Sequence, residues 1–260
     1  ADLNIENDVS SSFFKLSTNI NNLTFTPRNL TTILTKSLIE KIPKKLLAYE
    51  EVKVFGDVFY EGELLTTNLN YSFDNSNVIQ KGVVTFKNNK PNQFNGSFDI
   101  NNLSLKPLDE RLDRLDAKLH LSVNNILKES IDLNYNLSVS KVFLKQTPIS
   151  NLSFKGSYRS NTFFSDISIN DDQISAKSAI SFSLSDLQKK YQFDLNLDHL
   201  NIDLFNQNLG FGKAIISGDL TIFLVGNSFD EIQGNLLFKN LKFVNANESY
   251  IYNDFIIETK

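Results

Sequence analysis

The chain contains no cysteine, so a disulfide framework, a thiol nucleophile and a cysteine-ligated zinc site are all excluded. Tryptophan and methionine are absent as well, and the 260 residues include only 5 prolines and 10 glycines. The two histidines, His120 and His199, have no second histidine or cysteine near them in sequence, which gives no basis for a metal site or a histidine base. The residue types that most often carry catalysis are therefore scarce.

An excess of positive charge is also lacking. The 26 lysines and arginines nearly match the 30 acidic residues, and no basic patch appears, so nucleic acid is not expected as a partner. No stretch approaches the roughly 20 apolar residues that span a bilayer as a helix, and no leader indicates a signal peptide. Because no methionine opens the sequence and residues 255–260 still resemble a strand, we expect an internal fragment whose parent protein is membrane-anchored outside it.

Short motifs that would carry chemistry are incomplete. Asp74–Asn77 resembles the start of a calcium loop but lacks the glycine and the glutamate that such a loop requires. Gly210–Gly212 lacks the rest of a phosphate-binding fingerprint. The carboxylates are scattered and no pair is marked out, which disfavours a β-helix lyase or hydrolase. We predict no catalytic residue, no cofactor, no metal and no enzyme activity.

The sequence does contain a recurrent phase slip in an alternating apolar pattern. Apolar residues two apart, such as Phe98 and Ile100, are followed by a step of three to Leu103. Successive side chains of a strand face opposite sides, so one extra residue in a bulge is needed to keep the apolar set on one face. The pattern occurs in five copies, which begin at Ile20, Ile100, Ile149, Leu197 and Phe238. We therefore predict strands that bend at a fixed place.

The spacing of the copies predicts a repetitive all-β architecture. The intervals are 80, 49, 48 and 41 residues, and the first has room for a degraded copy near Thr66–Tyr71. Alternating segments between turn signals suggest about fifteen strands. We predict one elongated repeat segment over residues 1–260, best marked over 93–260, in which a curved sheet of bent strands forms an apolar trough.

One or two short helices are expected beside the sheet. Thr26 is a suitable N-cap and Pro27 suits the first helical position, so a helical insertion is predicted over 27–47. A weaker helical turn is predicted after Pro107, through Leu112 and Leu115. The lysines of the first helix would suit a membrane surface, but we favour a helix that covers an open edge of the sheet.

Three structures would account for the apolar face. It could be the core of a two-layer sandwich, the outer wall of a transmembrane barrel, or the inside of a single sheet folded lengthwise into a trough. The absence of tryptophan and the presence of only 8 tyrosines disfavour the barrel, whose wall carries aromatic girdles. A trough would stay half-exposed unless acyl chains occupied it, and each buried CH₂ is worth about 0.8 kcal/mol.

Two motifs resemble the TamB/AsmA-like proteins of the Gram-negative envelope, in their Bacteroidota form. The segment Leu23–Leu30 before the predicted helix is similar to that family's L-x-x-[ST]-P-[KR]-[DN]-L entry. The spaced glycines Gly212, Gly218, Gly226 and Gly234 are similar to its glycine module, and the strand pair at 232–257 also fits. The resemblance covers most of the chain diffusely, while residues 125–190 match only in their alternation.

The resemblance implies a periplasmic β-taco bridge between inner and outer membranes that conducts phospholipids along an apolar groove. It also implies an outer-membrane assembly barrel of the Omp85 type as a further partner. Alternatives are a scaffold for outer-membrane protein assembly and an adhesin-like structural repeat. On this basis the expected groove residues are Phe98, Ile100, Leu103, Leu105, Phe193, Leu195, Leu197, Leu200, Ile202, Phe238, Leu241 and Phe243.

Overall fold

The structure is a computed structural model that describes residues 2–7, 14–26, 51–106, 109–126, 131–144, 146–184, 188–202, 214–227 and 231–259. Its regular elements are sixteen β-strands. They are β1 Asp2–Asn7, β2 Phe14–Phe25, β3 Val52–Glu61, β4 Leu64–Phe73, β5 Ser76–Lys87, β6 Lys90–Ser104, β7 Leu112–Asn124, β8 Asp132–Leu144, β9 Thr147–Arg159, β10 Thr162–Asn170, β11 Ile174–Ser183, β12 Lys190–Asn201, β13 Ile215–Val225, β14 Gln233–Val244, β15 Ser249–Ile251 and β16 Phe255–Thr259.

The chain divides into two compact units. Unit 1 comprises Ala1–Glu129 and Ser140–Gln146, and unit 2 comprises Ser130–Val139 and Thr147–Lys260, so that β8 contributes residues to both. Within unit 1, strands β1 to β7 each pair antiparallel with the next strand along the chain. Within unit 2, β9 to β15 do the same, and β16 pairs with β14 beside β15.

Tight turns explain why neighbours in sequence are neighbours in the sheet. Asn88 and Asn89 join β5 to β6 with φ angles of 54° and 59°. Ser160 and Asn161 join β9 to β10 with φ angles of 48° and 60°. Two consecutive residues with positive φ match the right-handed twist of the strands that they connect, and asparagine tolerates that conformation.

The all-β fold class is confirmed, and two local predictions are wrong. Leu112 and Leu115 are not in a helical turn but in β7, because Leu115 lies directly opposite Leu103 in the β6–β7 ladder. The segment Thr66–Tyr71 is not a degraded copy of the bend, since β4 pairs with both neighbours without a register shift. The helix predicted over 27–47 lies outside the described residues. Among the residues that are described, no helix has the length and apolar character to cross a bilayer.

Bulges occur at four of the five copies of the phase slip, and the fifth copy, at Ile149, shares the left-handed asparagine. The register shifts by one residue between Ile20 and Leu23 in β2, and between Ile100 and Leu103 in β6. It shifts likewise between Leu197 and Leu200 in β12, and in β14 at Asn240 opposite Gly218. The asparagine adopts a left-handed conformation in three copies, with φ of 55° at Asn102, 55° at Asn151 and 52° at Asn240. In each unit we call the sites of its motif copies the bulge line of that unit; they are centred on Asn22 and Asn102 in unit 1, and on Asn151, His199 and Asn240 in unit 2.

Candidate functional site

The bulge in β6 keeps the apolar residues on one face of unit 1. Ile100 lies opposite Ala117, and Leu103 lies opposite Leu115. Directly opposed residues of an antiparallel pair share a face, and residues two apart on β7 also share a face. Ile100 and Leu103 therefore point to the same side although they are three residues apart.

The bulge in β12 does the same in unit 2. Leu197 lies opposite Gly218 and Leu200 lies opposite Ile216 on β13, two residues away. On the other side, Leu197 lies opposite Ala176 and Leu200 opposite Ile174, again two residues away. Both neighbours thus confirm that the slip is absorbed without changing face.

Each unit carries one apolar face that continues from strand to strand. In unit 1 one row of opposed residues consists of Leu23, Val54, Tyr71, Val78, Ile100 and Ala117. In unit 2 one row consists of Phe154, Ile167, Ser178, Leu195, Leu220 and Phe238. Residues that are next to an apolar-face residue in sequence lie on the opposite face of the sheet and are mostly polar. Ser97 and Asp99 on β6, and Lys118 and His120 on β7, are examples. The alternation produces one apolar and one polar face per unit.

The expected groove residues are divided between the two apolar faces. Phe98, Ile100 and Leu103 lie on β6 in unit 1, and Leu105 lies one residue past its end. In unit 2, β12 carries Phe193, Leu195, Leu197 and Leu200 and is followed by Ile202, and β14 carries Phe238, Leu241 and Phe243. Of these twelve, only Leu105 is buried, at 8% exposed, and the other eleven are half-buried.

Hydrogen bonds from both neighbouring strands hold the bulge of β6. The backbone N–H of Asn102 donates to the Asp116 carboxylate on β7 at 2.6 Å. On the other side, the hydroxyl of Ser76 donates to the Asn102 carbonyl at 3.0 Å and accepts from the Ser104 N–H at 3.3 Å. The Asn102 side-chain amide also donates to the Asn75 carbonyl at 2.7 Å. These bonds satisfy backbone groups that the extra residue removes from the ladder.

Aspartates take the same role in unit 2. The N–H and hydroxyl of Ser150 donate to Asp171 at 2.8 and 2.7 Å. Asp219 accepts from the side-chain amides of Asn196 and Asn240, each at 2.7 Å. These two bonds, with the nearby charge of Lys239, hold the pKa of Asp219 below its ordinary value against a smaller opposing effect of desolvation.

The pKa of Asp171 is also lowered. Desolvation acts to raise it, but the hydrogen bonds from the Gln173 N–H, the Ser150 hydroxyl and the Ser150 N–H together outweigh that effect, with help from His199. The imidazole of His199 lies in the β12 bulge, with Nε2 3.2 Å from the Asp172 carbonyl oxygen. Its position agrees with the turn-residue role that its place in the motif predicts.

Small residues opposite the bulges were missed at the level of sequence. Gly56 lies opposite Ile20 with φ of 130°, and Gly218 lies opposite Leu197 with φ of 152°. A side chain at Gly56 would overlap the Asn68 carbonyl oxygen. Each glycine is followed by an aspartate that accepts from an asparagine on the bulged strand. The Gly-Asp dipeptide, paired with an asparagine just before the bulge motif, is the signal that could have identified both positions.

Burial concentrates beside the bulge line. The buried apolar residues of the described part of the chain are Val52, Val54, Leu105, Ala117, Val139, Ile149, Ala176 and Ala214. Ala117 and Ala176 lie opposite the residues that precede two bulges, and Val54 lies opposite Leu23, which follows another. No large side chain among the described residues is fully buried. A two-layer sandwich would bury the inward side chains of every strand, so neither unit has a sandwich core.

In β6 and β12 a longer strand segment precedes the bulge, Phe94–Ile100 in β6 and Tyr191–Leu197 in β12. We call these segments, together with the parts of the other strands of the same unit that continue their rows of opposed residues, the long arms. Their apolar-face side chains are half-buried by lateral contact with neighbouring strands. Rings pack side by side there: Phe163 and Phe182 stack with centroids 4.6 Å apart, and Phe94 and Phe98 lie 6.2 Å apart. These pairs stabilise the sheet laterally, and the apolar-face side chains around them stay partly exposed.

The polar face of unit 2 contains a hollow of about 560 Å³. Lys155, Lys177, Asp166 and Asp194 line it together with serine and threonine residues and with Ile167, Ala179 and Leu195, so charged and apolar groups are mixed there. Within the described residues, no three histidine, aspartate or glutamate side chains are grouped closely enough to hold a metal ion. The apolar face, by contrast with this hollow, carries one kind of side chain across consecutive strands of each unit.

No protein-family model, curated protein or solved structure matches the chain significantly.

Proposed function

We propose that the chain is a lipid-binding groove segment that carries phospholipid acyl chains on its continuous apolar face. The observation that carries this proposal is the half-exposed apolar surface of the long arms, which bulges keep on one side across consecutive strands. An exposed apolar surface of this extent is unfavourable in water unless a partner covers it. A flexible acyl chain suits such a surface because it needs only apolar contact.

Simple energetics support an acyl chain as the partner. Each CH₂ that leaves water for an apolar surface contributes about 0.8 kcal/mol, so even partial burial of one chain contributes several kcal/mol. No hydrogen-bonding partner or catalytic group is needed for that gain.

The setting that we propose is the periplasm, with the segment forming part of a bridge between inner and outer membranes. This setting rests on the motif resemblance to TamB/AsmA-like proteins at Leu23–Leu30 and at the spaced glycines. A membrane anchor in the parent protein and an Omp85-type barrel as a partner are part of the same proposal.

A second candidate function is a scaffold for outer-membrane protein assembly. It is favoured by β15 and β16, which lie outside β14 in unit 2 and expose apolar side chains on both faces. Ile251 is 77% exposed and Ile256 is 60% exposed. Edge strands of this kind can pair with an extended segment of another protein.

Lipid co-purification tests the first proposal. Phe98 and Leu119 lie opposite each other on the apolar face, and Ser97 and His120 lie opposite each other on the polar face one residue away. We expect the double variant Phe98→Asn with Leu119→Asn to reduce the phospholipid extracted per mole of protein several-fold. The matched variant Ser97→Asn with His120→Asn should retain the wild-type amount.

Circular dichroism establishes that both variants keep the β fold before lipid is quantified by mass spectrometry. Equal lipid content in both folded variants would contradict the groove proposal. Capture of a barrel protein that is unaffected by Phe98→Asn with Leu119→Asn would favour the assembly scaffold instead.

A further inference from the structure

Polar side chains interrupt the apolar face in both units. Gln80 lies opposite Leu69 and Phe98, so its side chain belongs to the apolar face of unit 1, where it is only 6% exposed. Ser165 lies opposite Gly156 and Ile180 on the apolar face of unit 2 and is 2% exposed. A buried polar group costs free energy unless it is hydrogen-bonded, so each of these positions requires an explanation.

In unit 1 the interruption is a hydrogen-bonded pair. The Gln80 side-chain nitrogen donates to the Thr67 hydroxyl oxygen at 2.7 Å, and the Thr67 hydroxyl donates to the Gly82 carbonyl at 3.3 Å. A glutamine amide has two N–H donors, and the second one of Gln80 has no acceptor among the described residues. A hydrogen-bond donor therefore remains available on the apolar face.

In unit 2 the interruption is a group of three hydroxyls. Tyr135 donates to the Ser165 oxygen at 2.7 Å across Gly156, where a Cβ would come within 2.6 Å of the tyrosine oxygen. Ser178, opposite Ile167 and Leu195 on the same face, has a buried hydroxyl with no hydrogen-bond partner in the described part of the chain. Neither serine hydroxyl hydrogen has an acceptor there.

The two interruptions occupy the same rows relative to the bulge line. Gln80 and Ser178 lie one row from the last residue before the bulge, in the rows of Phe98 and Leu195. Thr67 and Ser165 lie one row further away, in the rows that contain Gly96 and Phe193. Rows on one face are about 7 Å apart, so Gln80 and Ser178 each place a spare donor about 7 Å from the bulge of their unit, and Ser165 places another about 14 Å away in unit 2. The repetition indicates a feature of the face rather than two isolated polar residues.

We infer that these polar rows bind the carbonyl oxygens of acyl ligands, which deepens the proposed function and rests on it. A carbonyl is a compact hydrogen-bond acceptor attached directly to an acyl chain, and it would accept from Ser178, Ser165 or the free N–H of Gln80. Ile167 and Leu195, which lie opposite Ser178 on the two neighbouring strands, are themselves only half-buried. The apolar face then holds the chain while the polar rows set the position of its carbonyl end.

Three fluorescent probes test the inference on the full chain. These are cis-parinaric acid, its methyl ester, and diphenylhexatriene, which has no hydrogen-bonding group. The test variant combines Thr67→Val, Gln80→Met, Ser165→Ala and Ser178→Ala. The control variant combines Thr66→Val and Ser168→Ala, which remove hydroxyls from the polar face of the same strands.

We expect the test variant to bind both carbonyl-bearing probes about tenfold more weakly, because about one net hydrogen bond is lost. Its affinity for diphenylhexatriene should be unchanged, and the control variant should match the wild type for all probes. Loss for the acid and the ester together identifies an ester carbonyl, as in a glycerolipid, and loss for the acid alone identifies a free carboxylate.

Two results would overturn the inference, and they are distinguishable. If the wild type binds all three probes and the test variant weakens them equally, or not at all, the polar rows do not recognise carbonyls while the groove proposal stands. If the wild type binds none of the probes, the groove proposal fails and the inference fails with it. Circular dichroism and urea unfolding of each variant show that the compared proteins are folded.

Discussion

The bulge line and the long arms belong to the same strands but differ in burial and in hydrogen bonding. Beside the bulges, Val54 is 4% exposed and Ala117 is 3% exposed, and buried backbone groups are bonded to Ser76, Asp116 and Asp171. Along the long arms, side chains such as Phe98 and Leu195 are half-buried. The difference separates residues that the fold buries from residues whose apolar surface stays partly exposed.

This difference in burial also explains how sheets of so many strands form although few of their side chains are buried. Cross-strand hydrogen bonds and lateral side-chain pairs stabilise each sheet, and the cluster beside the bulges supplies the most buried contacts. Apolar side chains elsewhere contribute less to folding because folding removes less of their surface from water. We therefore expect substitutions on the two sides of a bulge to affect different properties of the protein.

The largest effect should come from Gly56→Ala. Gly56 has φ of 130° and an added Cβ would overlap the Asn68 carbonyl oxygen, so we expect the free energy of unfolding to fall by about 3 kcal/mol. Gly82→Ala is the matched control on the same face, since its Cβ would meet the movable side chains of Phe94 and Gln80. Urea unfolding measures both, and an equal loss would refute the special role of the residue opposite the bulge.

A smaller difference in the free energy of unfolding should separate the alanine variants of two valines in β3. Val54 and Val58 share the apolar face, but Val54 is buried beside the bulge and Val58 is half-buried on the long arm. We expect Val54→Ala to lower the free energy of unfolding by about 2 kcal/mol and Val58→Ala by less than about 1 kcal/mol. Equal losses would mean that burial does not distinguish the two regions.

The smallest effect should come from Asp219→Asn and should depend on pH. Because hydrogen bonds hold the folded-state pKa of Asp219 below its ordinary value of about 3.9, the unfolded chain takes up the proton at higher pH. The stabilisation is therefore complete above the ordinary pKa and is lost as pH falls through the lower folded-state pKa. We expect the variant to be less stable than the wild type at pH 7 by only about 0.5 kcal/mol, because solvent screens the exposed carboxylate.

This deficit should shrink when unfolding is measured near pH 3. Asp166→Asn is the control, because Asp166 accepts no hydrogen bond from the described residues. A deficit that stays constant between the two pH values would show that the Asp219 carboxylate does not act through its charge.

The alternation and its phase slip were enough to predict the strands, the bulges and the side on which Ile100 and Leu103 meet. Those features are local, since they follow from the two-residue period of a strand. Gly56, Ala117 and the aspartates at the bulges were not predicted, because their roles depend on which residues lie opposite in the sheet. Gln80 and Ser178 were missed for the same reason, since only the register places them on the apolar face.

We propose that lipid lies on the face whose continuity the bulges maintain. A photo-crosslinking amino acid placed in turn at each position from 192 to 201 of β12, with lipid adducts detected by mass spectrometry, tests it directly. We expect adducts at Phe193, Leu195, Leu197 and Leu200, so that the labelled positions are two residues apart except across the bulge, where they are three apart. Few adducts are expected at the positions between them. Adducts of equal yield on both faces, or none at any position, would contradict it.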